Sequence, residues 1–121
     1  MALSTTELNR RANDIVASDL TAYPHTGDPG RTGGTANRIP GVAGVAMPAR
    51  QWSDAVDGDV VYNASLDFVM LSATRNLTPN WLSLFRGNAY VADIPLGAGA
   101  VIPSGEGFRV RSGTIRINGA S

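Results

Sequence analysis

The side chain best suited to moving a proton near neutral pH is histidine, and this chain has one, His25. A hydrolytic triad would need it as the base beside a serine nucleophile. No Gly-x-Ser-x-Gly elbow marks such a serine. The setting, Tyr23-Pro24-His25-Thr26-Gly27-Asp28-Pro29-Gly30, reads as a turn histidine beside a glycine-rich loop. No catalytic residue is assigned, and His25→Ala is expected to leave function intact.

Three other groupings could do chemistry. Asp54, Asp57 and Asp59 place carboxylates close together, as a hard cation requires, but an EF-hand loop needs alternate oxygen ligands and a distant glutamate. Aspartate with glycine in a tight turn is the expected reading, so no metal is assigned. Residues 26–34 are glycine-rich like a phosphate cradle, yet no lysine and no helical pattern follow them. Arg109, Arg111 and Arg116 alternate with apolar residues, which fits an outward strand face, and arginine's planar fork suits protein interfaces. All ten basic residues are arginine, so Schiff-base and Walker lysine chemistries are excluded. Cysteine is absent, which excludes disulfides, thiol nucleophiles and thiolate metal sites. No cofactor is expected.

Whatever these residues do, a small scaffold positions them. At 121 residues the chain fits one domain, residues 1–121. Its hydrophobic fraction of 43% is enough for a packed core. Ten acidic and ten basic side chains cancel to a net charge of zero, leaving no summed field to attract nucleic acid or an anionic membrane. Neither a secretory leader nor a membrane span is expected, since the first residues are polar and no apolar run is long enough. The acceptor patterns Asn63-Ala64-Ser65 and Asn76-Leu77-Thr78 then have no consequence.

A helix is expected over about residues 4–18. Ser4 can cap it, Glu7 can return a bond to complete a capping box, and Leu8, Ala12, Ile15 and Val16 form an apolar stripe. From residue 19 to 118 short alternating runs indicate strands: Leu20 to a break at Pro24, then Met47–Ser53, then a hairpin closed by Asp57-Gly58. Leu66, Phe68 and Met70 alternate with Asp67, Val69 and Leu71 in an expected central strand. Gly87-Asn88 should join Trp81–Arg86 to Ala89–Ile94, and Ser112-Gly113 should join a last strand pair. Trp81, Phe85, Phe68 and Tyr90 are the expected aromatic core. Residues 27–44 hold six glycines and two prolines and read as a long surface loop. With the helix, this loop is expected to contact neighbouring subunits, mobile alone and ordered by binding. The fold class is mainly β: an antiparallel sandwich or jelly-roll-like domain with one N-terminal amphipathic helix and a long glycine-rich loop.

Several segments together resemble a family of small virion proteins of actinobacterial tailed phages, labelled variously as tail fibre, minor tail or head decoration proteins. The similarity runs through Ala2-Leu3-Ser4-Thr5, then Leu20-Thr21-Ala22-Tyr23-Pro24-His25-Thr26-Gly27-Asp28-Pro29-Gly30, which is similar to a His-Thr-x-Asp-Pro-Gly turn. It continues through Ala49-Arg50, Trp52 and Leu77-Thr78-Pro79-Asn80-Trp81-Leu82-Ser83-Leu84-Phe85. Pro48, Ser83 and Phe85 depart from the family pattern. The resemblance implies a non-enzymatic structural protein of the virion, assembled in the bacterial cytoplasm. It would act as a minor capsid or decoration protein bound to the major capsid protein, or as a minor tail or tail-fibre protein bound to tail subunits. Homo-oligomers are expected, without nucleic acid or membrane. Interface candidates are Gly27, Asp28, Pro29, Gly30, Arg31, Arg38, Arg109, Arg111 and Arg116. A reading of another class, a surface carbohydrate-binding module, would stack sugars on Tyr62, Tyr90 or Trp52.

Overall fold

The computed structural model describes residues 3–30, 33–69, 78–96, 101–104 and 107–119. Arg31, Met70, Leu71, Asn76 and Leu77 lie outside these. Helix α1 spans Thr5–Ile15, shorter at both ends than its sequence pattern. Ser4 caps it, its hydroxyl accepting from the Glu7 backbone N–H at 3.2 Å. The Glu7 carboxylate does not complete a capping box; it accepts from Arg10 and Arg11, whose guanidiniums hold its pKa down to about 2.

The strands are β1 Leu20–His25, β2 Val45–Met47, β3 Asp59–Val61, β4 Leu66–Val69, β5 Trp81–Arg86, β6 Ala89–Pro95, β7 Val101–Ser104, β8 Gly107–Val110 and β9 Arg116–Asn118. They form antiparallel sheets ordered β2-β1-β5-β6, β3-β9 and β4-β8-β7. One sandwich-like core joins all three. Leu20, Ala22, Met47, Leu82, Leu84 and Ile94 come from the four-stranded sheet; Val60, Ile117, Leu66, Phe68, Phe108 and Val110 come from the other two.

The helix stripe is used within the domain. Ala12 and Val16 are buried in the core, α1 packs on β3 and β9, and Asn9 accepts from the Gly58 N–H at 2.7 Å. Arg86, at the end of β5, donates to the Ile15 carbonyl at 2.9 Å, placing a cation where the helix dipole is negative. Of the stripe, Ala12 and Val16 are thus used within the domain, while Leu8 and Ile15 are half-buried.

Both short hairpins form as their turn residues dictate. Val56 and Asp59 exchange two backbone bonds of 2.9 Å around Asp57 and Gly58, whose φ values of 52° and 84° are those of a type I′ turn. Gly87-Asn88 joins β5 to β6. Elsewhere the expectations need correction. Pro24 lies inside β1: its carbonyl accepts from Ile39 on the side away from β5, so its missing N–H removes nothing from the β1–β5 ladder. Met47–Ser53 is no continuous strand, because Ala49–Gln51 turns as a 3₁₀ helix before Trp52 bridges to Tyr62. Among the described residues β4 pairs only with β8, which makes it an edge strand and leaves Val69 71% exposed. The last two strands do not pair across Ser112-Gly113. Instead β8 joins β4 and β7, while the turn carries the chain over to β3, held by bonds between Tyr62 and both Gly113 and Ile115.

Candidate functional site

Alternation puts Leu82 and Leu84 on the core face of β5 and Trp81, Ser83 and Phe85 on the other. The register sets Tyr23 beside Ser83, and His25 beside Trp81, on that second face. From β6 come Asp93, opposite Ser83, and Tyr90, opposite Phe85. Tyr90 reaches this face because Val91 is an extra residue in the ladder, a bulge between Leu84 and Phe85. Tyr90 donates to Asp93.

This outer face is not left to solvent, because the glycine-rich segment folds back over it. Thr26 N–H bonds Asn37, Ala36 N–H bonds Pro29, and Ile39 N–H bonds Pro24, all at 2.9–3.0 Å. Gly34 rests on the Tyr90 ring so closely that a Cβ there would lie 2.3 Å from the nearest ring carbon. The Arg38 guanidinium sits 4.1 Å from the Tyr23 ring centre and 5.2 Å from that of Phe85, a cation–π placement. Its Nε is buried without a hydrogen-bond partner among the described residues. Several backbone groups of the segment are thus paired within the domain.

His25 is the centre of this layer, and it is a fully buried strand residue rather than a turn histidine. Its Nδ1 lies 2.7 Å from the Ala36 carbonyl, which can only accept, so Nδ1 carries the proton. Nε2 is then the acceptor for the Ser83 hydroxyl, also at 2.7 Å. Burial lowers the His25 pKa, and Arg38 adds to this, while the Ala36 bond and Asp93 oppose it. A hydroxyl bonded to an imidazole that is oriented by a third group is the geometry that activates a nucleophile. Both His25 and Ser83 have 0% exposure, however, so the Ser83 hydroxyl is not accessible to a substrate. The pair serves as a buried polar strut between sheet and loop. Ser83 was legible as the polar residue within the apolar run Trp81–Phe85, on the same strand face as its aromatic neighbours.

The remaining candidates are dispersed. Asp28 is exposed and accepts from the Gly30 N–H at 2.9 Å; Gly27 and Gly30 are half-buried; Pro29 is buried and offers no contact surface. Arg38 is half-buried under its own aromatic pair. Arg109 pairs with Asp67 across β4–β8 at 2.6 Å, Arg116 approaches Asp59 at 4.0 Å on another sheet, and Arg111 is exposed. Asp54, Asp57 and Asp59 line one open groove of about 330 Å³ with Val56 and Arg116. Asp59 is engaged by Asn118 at 2.7 Å, and among the described residues no three His or acidic side chains converge to hold an ion. Of the three sugar platforms, Trp52 and Tyr62 are buried against each other with ring centres 5.1 Å apart, and Tyr90 is half-buried with Gly34 on its ring. No protein-family model, curated protein or solved structure matches this chain.

Proposed function

We propose that this chain is a non-enzymatic structural subunit of a tailed-phage virion, packing against other capsid proteins as a minor capsid or decoration protein of the head. The observation that carries the reading is the contrast between its interior and its surface. The one histidine has both ring nitrogens committed inside the fold. The outward positions carry Arg109, Arg111, Arg116, Val56 and Val69, side chains suited to protein contacts. Exposed arginine–aspartate pairs such as Arg109–Asp67 contribute little to stability, so these charges are available to partners. The resemblance of its turn and strand motifs to small virion proteins supplies the particle; a tail location is the second reading, favoured by the same resemblance.

The test is a variant with Arg109, Arg111 and Arg116 all changed to alanine. The expected outcome is a protein with nearly unchanged melting temperature that is incorporated poorly into particles. Full incorporation would remove these arginines from the interface.

A further inference from the structure

Between the four-stranded sheet and the segment that covers it stands one group able to change charge near neutral pH. His25 binds the segment through Ala36 and the sheet through Ser83. The groups facing it are Arg38 from the segment, Asp93 with its partner Tyr90 from β6, Ser83 from β5 and Tyr23 on its own strand. Only one carboxylate stands among them, against an arginine, and the histidine is fully buried. A proton added there makes a second cation under the segment, shielded from bulk solvent. Opening residues 33–38 relieves that cost by hydrating the ring. These residues are the ones that can lift: Gly34, Ala36 and Arg38 contact the outer face, while Ile39 and Val42 are anchored in the core.

We propose that residues 33–38 form an acid-released latch, in which protonation of His25 frees the segment from the outer sheet face and uncovers Tyr23, Phe85 and Tyr90. The device goes beyond the virion reading and does not depend on it. At neutral pH the latch is closed by the neutral, Nδ1-protonated ring. Below the histidine range it opens while the sandwich core persists.

Hydrogen exchange of the full chain, corrected for intrinsic rates, tests this at about pH 8 and about pH 5, either side of the ordinary histidine value. Protection of the Thr26 and Ala36 amides, which bond across or within the covering segment, should fall about tenfold or more on acidification. The β5–β6 ladder should stay protected. His25→Gln keeps a donor and an acceptor but cannot titrate, so its protection should be equal at both pH values. Equal protection in the native chain, loss shared with the β5–β6 ladder, or the same loss in His25→Gln would each overturn the latch. Should His25→Gln fail to fold, the native ring resonance followed by NMR decides instead. Its titration midpoint must coincide with that of segment exchange, and separate midpoints overturn the proposal.

Discussion

Phe68 pairs with Phe108 across β4–β8, their rings stacked with centres 4.8 Å apart and both side chains buried. Phe68→Ala should therefore cost about 3–5 kcal/mol, through lost burial and a cavity that an edge strand only partly closes. A denaturation midpoint equal to that of the parent would remove it from the core. Phe68 was readable as core from alternation alone, but Phe85, although buried, is not part of that core, and Trp81 and Tyr90 are only half-buried. They lie on the outer face, where cover comes from a loop that periodicity cannot place. His25 was misread for the same reason: its burial depends on Ala36 and Ser83, which are 11 and 58 positions away. His25→Ala, expected from the sequence to leave function intact, should destabilise the fold by about 1–3 kcal/mol, because it strands the Ser83 hydroxyl and the Ala36 carbonyl. Its pKa in the fold lies below the 6.5 of the unfolded chain, so the unfolded state binds more protons between those values. Stability from neutral His25 is fully present above about pH 6.5 and declines as pH falls through that window. Urea midpoints compared between native chain and His25→Gln check the sign: the native chain should lose more on acidification.

Helix α1 closes its own first turn with the Ser4 cap and holds to the domain through Ala12 and Val16, through Asn9 on Gly58, and through its last carbonyl on Arg86. Ser4→Ala should cost about 1 kcal/mol, and Arg86→Ala should fray the last turn without loosening β5, whose ladder is backbone-made. Hydrogen exchange near Ile15 reads the second effect; unchanged exchange there would show that Arg86 does not act as the cap. The elements whose signals are local were legible: the capped helix and the turns at Asp57-Gly58 and Gly87-Asn88. Those set by distant partners were not. Ser112-Gly113 has the composition of a hairpin, yet Tyr62 captures both Gly113 and Ile115 and diverts the chain to another sheet. Pro24 reads as a strand end, but the sheet tolerates it because its N–H side faces away from β5.

At the scale of the molecule, a single core joins the helix and all three sheets, and a second, thinner layer forms where the glycine-rich segment covers the outer face. The mainly antiparallel β class was legible from the many short alternating runs; the second layer was not, because glycine carries no periodicity. With the one histidine consumed inside this layer, the proposed role rests on the surface, where arginine and isolated apolar side chains face outward. The most direct measurement is the position and copy number of the chain in purified particles, by density and quantitative gel electrophoresis. The account predicts a fixed copy number in proportion to the major capsid protein, with density for the chain bound on the head. Purified infectious particles that lack the chain would contradict it.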